Sequence, residues 1–270
     1  MKKLVVTLVI VLGLLVVADY GAASVAEYQV SQKVREQLKL EEDPSVRVHG
    51  FPFLAQAVAG DYQDVELAAK AVKVGRLSEL GVEANLRHAR VALGDVIGGK
   101  ADEIKVDELA GRVKLKASDV GRYIGITDLT INPAPKDALD EPADGNDGSG
   151  STADTGTGAS DPSRATVALD GSIDIAGNNV RVKVIAVLSL LNGQITIEPK
   201  KLDIADQALS EIPLGDVFEQ SILQQFTTTI DPGVLPFSVT PTAVRVERGA
   251  LVMEGEAQDV TIGANGVTTG

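Results

Sequence analysis

The chain opens on an unbroken apolar run, Leu4 to Ala18, set behind Lys2 and Lys3. As a helix these 15 residues measure about 22 Å at roughly 1.5 Å per residue, short of a bilayer core of about 30 Å. The run fits the apolar core of a secretory signal, with Ser24-Val25-Ala26 as a small-x-small cleavage site before Glu27. It also fits a retained anchor extended through Asp19 to about Ala26, because helical periodicity continues straight out of the run. In both cases the lysines stay on the cytoplasmic side and the rest of the chain is exported. Residues 27–40 predict an amphipathic helix. Ala26, Val30, Val34 and Leu38 recur every four residues, Gln32, Lys33, Arg35 and Glu36 fill the other side, and the segment Glu41 to Pro44 ends it.

Strand patterns follow. Ser45 to His49 alternates, and Gly50 and Pro52 bend the chain. Further period-two runs are Val82–Leu86, Ile104–Val106 and Val113–Ala117, and Leu129–Ile131 closes the first half. In the second half, Thr166–Leu169 and Ser172–Ala176 flank Asp170-Gly171, a type I′ hairpin pair, and Gly177-Asn178-Asn179 predicts another turn. Val180 to Leu191 is a long strand, and Asn192-Gly193 turns it into Gln194–Glu198. Residues 213–226 have helical spacing, and strands at 242–247, 250–254 and 260–262 end the order, the first two around Arg248-Gly249. Local hairpins without βαβ alternation predict an α+β fold, a curved antiparallel sheet wrapping one or two long amphipathic helices.

Residues 133–164 break the pattern. They are rich in Gly, Ser, Thr, Asp and Pro and carry a net charge of -5. Such a segment cannot bury enough surface to offset its ordering entropy and reads as a disordered acidic insertion. The chain thus divides into a leader or anchor (1–26), a first half (27–132), the insertion (133–164) and a second half (165–270). A faint echo between Arg112–Lys116 and Gln194–Glu198 is compatible with duplication.

Charge and composition narrow the function. The chain of 270 residues has 25 Lys and Arg against 38 Asp and Glu, a formal charge of -13, the wrong sign for nucleic acid. There is no Cys and there are two His, so thiolate chemistry is excluded and a histidine metal site is not expected. No P-loop, HExxH, GxSxG or GxGxxG is present. His49, at a strand end beside Gly50, and His88, between Arg87 and Arg90, read as surface or turn residues. No cofactor and no catalytic residue is predicted; binding or structure is favoured over catalysis.

An antiparallel sheet wrapped round helices can leave an aliphatic slot, and an acyl chain entering it gains about 0.8 kcal/mol per buried CH₂. Candidate lining residues are Val30, Val34, Leu38, Phe51, Phe53 and Leu54 from the first half, and Val217, Phe218, Ile222 and Phe226 from the second. Phe51 and Phe53 flank Pro52 at a period-two spacing that suits a hydrophobic lip or a packed turn. Arg112, Lys114 and Lys116 share one strand face, as do Arg181 and Lys183. These basic strips suit either a solvated face or contact with anionic headgroups.

The stretch Val48-His49-Gly50-Phe51-Pro52-Phe53-Leu54-Ala55-Gln56, followed by Gly60, Tyr62 and Val65, resembles the LmeA-like phospholipid-binding family, envelope proteins of actinobacterial type. Leu235-Pro236-Phe237 and the strands from Val244 to Val260 are similar to its closing part. The resemblance implies an exported or membrane-anchored protein that binds phospholipid, phosphatidylinositol-type lipids among the candidates, at the membrane surface. It also implies a link to assembly of lipoglycans such as lipomannan, and a tubular or groove-shaped module in which a curved sheet cradles a long helix. The acidic insertion is not part of that pattern. The alternative is a membrane-tethered scaffold without a lipid cavity; a hydrolase or transferase acting on envelope glycolipids is a third reading.

Overall fold

The computed structural model describes residues 2–98, 100, 103–134, 138, 161–175, 178–204, 216–231, 241–263 and 266–269. The fold is α+β, with the strands divided between two antiparallel sheets, neither closed into a barrel. The chain forms two compact units, and β4 (Glu103–Lys116) and β11 (Ala250–Gly263) contribute residues to both.

In the first unit α1 is a single helix, Lys2–Leu38, of 37 residues. The apolar leader and the amphipathic segment are therefore one element, because no proline interrupts them before Pro44. The helix stops where Lys39 turns left-handed at φ 52° and the Leu40 amide donates to the Arg35 carbonyl at 3.0 Å. Asp43 ties the next residues back, accepting from Gln32 Nε2 and Arg35 Nη1, both at 2.8 Å.

The seven-stranded sheet that begins in this unit runs β1 (Ser45–His49), β2 (Asp61–Val74), β3 (Leu77–Arg90), β4, β11 and β10 (Ala243–Glu247), with β12 (Gly266–Thr269) also on β11. Val46 and Val48 of β1 oppose Leu67 and Val65 of β2, which in turn oppose Ala84 and Leu86 of β3. These face α1, whose Ala22, Ala23 and Ala26 join the same apolar cluster. Period two then fails once in each of four strands. Tyr62 and Val65, Leu86 and Ala89, Val106 and Leu109, and Ala257 and Val260 all belong to the cluster although each pair is three residues apart. His88 and Asp259, inside two of these steps, have left-handed backbones at φ 50° and 51°. Such irregularities bend strands and increase their twist.

In the second unit the sheet order is β5 (Thr130–Pro133), β6 (Arg164–Ile175), β7 (Asn178–Leu191), β8 (Gln194–Ile204) and β9 (Thr228–Ile230). The hairpin expected at Asp170-Gly171 does not form; both residues lie inside β6, opposite Lys183 and Val182. Gly171 is there for proximity, since a Cβ on it would stand 2.5 Å from Ile126 Cγ2. The Asn192-Gly193 turn does form, with both residues at positive φ as a type I′ turn requires. The strands expected at 250–254 and 260–262 are one strand, β11. β5 pairs antiparallel with β6, so the acidic insertion connects two neighbouring strands. Its residues 135–137 and 139–160 lie outside the described residues, as do Ala176 of the predicted strand, Gly177 of the predicted turn, positions 213–215 of the predicted helix, and Leu235 to Phe237; Asn178 and Asn179, expected in that turn, are the first residues of β7 and pair with Ile175 and Asp174.

Candidate functional site

Three short helices punctuate the first 125 residues: α2 (Phe53–Ala59), α3 (Leu93–Gly98) and α4 (Ala117–Ile124). The stretch that carries the family resemblance is the β1–α2–β2 connection, and its residues have separable jobs. Gly50 takes φ 100°, and a Cβ there would meet Gln56 Nε2 at 2.9 Å, so no larger residue fits. Pro52 follows a cis peptide bond. Gln56 is buried; its Nε2 donates to the His49 carbonyl at 3.3 Å and its Oε1 accepts from the Gln63 amide at 2.9 Å, joining the end of β1 to the start of β2. Gly60, at φ 68°, ends α2 and donates to the Gln56 carbonyl at 2.8 Å.

The N-terminus of α2 has no side-chain cap of its own. Asp19 of α1 supplies one. It is only 4% exposed, and its two carboxylate oxygens accept from the Phe53 and Leu54 amides, each at 2.8 Å. Charge-assisted bonds to orphan helix amides are among the stronger ones available. Two further side chains fasten α1 to β1: Glu27 Oε1 accepts from the Val48 amide at 2.7 Å, and Ser31 Oγ donates to the Pro44 carbonyl at 2.6 Å.

The structure separates the two phenylalanines. Phe53, 3% exposed, packs in the cluster with its ring centroid 6.4 Å from that of Tyr62. Phe51, 58% exposed, stacks instead on Tyr20 of α1 with centroids 6.1 Å apart. Leu54 and Val58, on the outer side of α2, are exposed as well. Around the buried cluster lie half-buried aliphatics: Val48, Val65, Leu67, Leu86, Ile104 and Ile262. Tyr62 sits among them with its hydroxyl buried and without a hydrogen-bond partner. Burial raises its pKa above the ordinary phenol value of 10.0.

The remaining candidates distribute as follows. Val30 and Val34 are half-buried on α1 and Leu38 is exposed at its end. Ile222 and Phe226 are buried on α5 (Asp216–Phe226), which packs on β8 in the second unit. Val217 and Phe218 belong to the first turn of α5, and their side chains lie outside what the structure describes. Arg112 points away from the buried Val113 and Leu115 and pairs with Glu83 at 3.6 Å; Lys114 pairs with Glu247. Lys116, Arg181 and Lys183 are exposed on their strands. His49 Nε2 lies 3.3 Å from Glu66 and His88 Nδ1 3.3 Å from Asp61, all exposed. Among the described residues, no group of three or more His, Asp or Glu is placed to hold a metal ion. Sequence reasoning missed Asp19, Tyr20 and Val58. The available signal was Asp19 itself, the one charge between Leu4 and Val25.

Among the described residues, α1 is the one helix long and apolar enough to cross a membrane by length and composition. The model of the LmeA-like phospholipid-binding family matches residues 17–256, and the chain belongs to that family. No curated protein and no solved structure matches it. The family is described by binding of phospholipid, and the match takes in Asp19, Gly50 to Gln56 and Tyr62.

Proposed function

We propose that this protein is an exported, membrane-anchored phospholipid-binding protein of the cell envelope that holds acyl chains against aliphatic side chains and leaves headgroups at the mouth. The family match carries this reading. In the first unit the half-buried Val48, Val65, Leu67, Leu86 and Ile104 support it, since acyl methylenes covering them would each contribute about 0.8 kcal/mol. Val30, Val34, Leu38 and Phe53 are the groove residues of the first unit, and Ile222 and Phe226 those of the second. Arg112, Lys114, Lys116, Arg181 and Lys183 are the headgroup contacts, phosphatidylinositol-type lipids are the ligand class, and lipoglycan assembly is the process served.

Retention of the N-terminal helix is part of the proposal. Asp19, Ala22, Ala23 and Ala26 all contribute to the fold of the first unit, so cleavage before Glu27 would remove a helix cap and three core residues. The test is native mass spectrometry of the full chain released from detergent, with lipid analysis of what co-purifies. Bound phospholipid on a chain whose mass includes residues 2–26 is the expected result. A lipid-free chain that fails to take up added phosphatidylinositol overturns the binding reading and leaves the scaffold reading standing.

A further inference from the structure

The apolar run of α1 is too short to cross a bilayer by itself. Leu4 to Ala18 covers about 22 Å at roughly 1.5 Å per residue, against about 30 Å of hydrocarbon. The missing distance of about 8 Å equals five or six more residues of helix, which brings the hydrocarbon edge to the level of Asp19–Ser24. At that level α1 does not stand alone. Asp19 holds the first amides of α2 and Tyr20 stacks on Phe51. The Val91 amide donates to the Gly60 carbonyl at 2.9 Å, bringing the start of the α3 segment to the end of α2.

What α2 presents outward is apolar. Its sequence, Phe53-Leu54-Ala55-Gln56-Ala57-Val58-Ala59, has no charged residue, and Gln56 is turned inward. Val58 is 90% exposed, Phe51 58% and Leu54 43%, and Leu54 and Val58, four residues apart, share one face of α2. A free-standing patch of this kind on a soluble domain calls for an occupant. Here the occupant is indicated by continuity, since the patch extends the lipid-exposed surface of the stem at the depth where the stem runs out. A stem shorter than the hydrocarbon is accommodated by local thinning of the bilayer and by its flanking residues; Tyr20 is of the aromatic type that populates that boundary, and Phe51 and Leu54 are of the apolar type that interfacial helices bury there.

We infer that Phe51, Leu54 and Val58 form a second membrane contact, seated in the headgroup–acyl boundary of the same bilayer that holds α1. The α2 helix then acts as a collar that fixes the first unit against the lipid surface. Asp19 serves this arrangement by locking α2 to the stem, with its charge satisfied by two backbone amides instead of facing hydrocarbon. The inference rests on the anchored reading above, and the experiment separates the two.

The chain contains no Trp, so one introduced Trp is a unique reporter. Full chains carrying Val58→Trp, Phe51→Trp, Val9→Trp or Gln37→Trp are reconstituted into phosphatidylcholine vesicles with a minority of phosphatidylglycerol. A matched series contains lipid brominated near the top of the acyl chain. Val9→Trp reports the stem, and Gln37→Trp, exposed on the same helix about 20 Å beyond Ser24, reports a level outside the bilayer. The expected result is loss of most of the emission by bromine quenching for Val58→Trp and Phe51→Trp, as for Val9→Trp, with Gln37→Trp unquenched. Quenching of Val9→Trp alone overturns the collar and leaves the anchor intact, including the case of a blue-shifted but unquenched Val58→Trp, which would assign the patch to a second protein copy. Absence of quenching at Val9→Trp as well overturns both.

Discussion

Among the described residues Asp19 is the side chain that caps α2, and replacing it by Ala removes both bonds of the cap. The structure fixes what is lost: two hydrogen bonds of 2.8 Å to the Phe53 and Leu54 amides, the first buried and the second partly so. Loss of an N-cap costs about 0.5–2 kcal/mol, and an amide left unsatisfied in a buried setting about 1–3 kcal/mol. Leu54 is partly exposed, so water can replace its lost acceptor, and the Phe53 amide bears most of the penalty. Both costs arise from the same lost bonds and do not add; with the buried Phe53 amide dominating, the loss is about 2–3 kcal/mol, localised to α2 and its attachment to α1. Hydrogen exchange of the full chain in detergent reads this directly, as a fall of roughly 30- to 150-fold in protection of the Phe53–Gln56 amides at tenfold per 1.4 kcal/mol. Protection of β6 and β7 in the second unit stays unchanged. Asp19→Asn keeps one carbonyl acceptor and sets an NH₂ against the other amide, so it falls between the parent and Asp19→Ala. If Asp19→Ala leaves protection of these amides within a factor of two, about 0.4 kcal/mol, the cap does not hold α2, and the locking role of Asp19 in the collar goes with it.

Other expectations are local in the same way. Gly121→Ala places a Cβ 2.2 Å from the Ile126 carbonyl oxygen, a backbone atom, whereas Gly171→Ala meets the Ile126 side chain at 2.5 Å. Overpacking costs about 1–3 kcal/mol, so Gly171→Ala falls in that range and Gly121→Ala at or above its top; equal melting temperatures for the two variants would refute the distinction. Tyr62 has a folded-state pKa above its unfolded value of 10.0; its contribution is fully present below pH 10 and is lost as pH rises through the folded pKa. Tyr62→Phe should therefore flatten the decline of stability above pH 10, and at neutral pH should match or exceed the parent because it removes an unsatisfied hydroxyl; an unchanged alkaline slope in denaturant titrations counts against it. Asp128 accepts from Ser172 Oγ at 2.7 Å and from the Ser172 amide at 2.9 Å, which holds its pKa below 3.8. Its contribution is present above pH 3.8 and fades as pH falls through the lower folded value. Ser172→Ala should raise the Asp128 pKa in an NMR titration, and no change would show the serine hydroxyl to be irrelevant.

Much of the fold was legible because it obeys a simple period. β1 matches Ser45 to His49, β7 shows its alternation from Val180, and the Asn192-Gly193 turn has the residues its φ values demand. What escaped did so for identifiable reasons. β2 reads Asp-Tyr-Gln-Asp-Val-Glu-Leu-Ala-Ala-Lys-Ala-Val-Lys-Val, where Ala, Glu and Lys favour other structures and Ala71 breaks the register at φ 54°. Pairing with β1 and β3 overrides that propensity. In each of β2, β3, β4 and β11 the inward positions step once by three, so a period-two search finds only fragments such as Val82–Leu86. At Asp170-Gly171 the dipeptide signalled a turn, but the glycine answers a close approach by Ile126, information held some 45 residues away in the chain.

The candidate site was less legible than the family, and for a physical reason. The stretch that resembles the family consists largely of residues that build the β1–α2–β2 corner: Gly50 for its φ, Gln56 for its bridges, Gly60 for the helix end, Phe53 and Tyr62 for the cluster. Residues that shape backbone are constrained in identity, so they make a recognisable pattern whether or not they touch lipid. The exposed apolar residues are constrained only in character. Phe51, Leu54 and Val58 need merely be apolar and outward, and Tyr20 merely aromatic, so no motif announces them. They come together only because a carboxylate at position 19, one helical step past the apolar run, is bonded to amides more than thirty residues later. An isolated acid at the end of an apolar helix, followed by a Pro-led apolar heptad without charge, is thus the sequence mark of this corner, and it is testable in any chain where the two occur together by whether the acid caps the second helix.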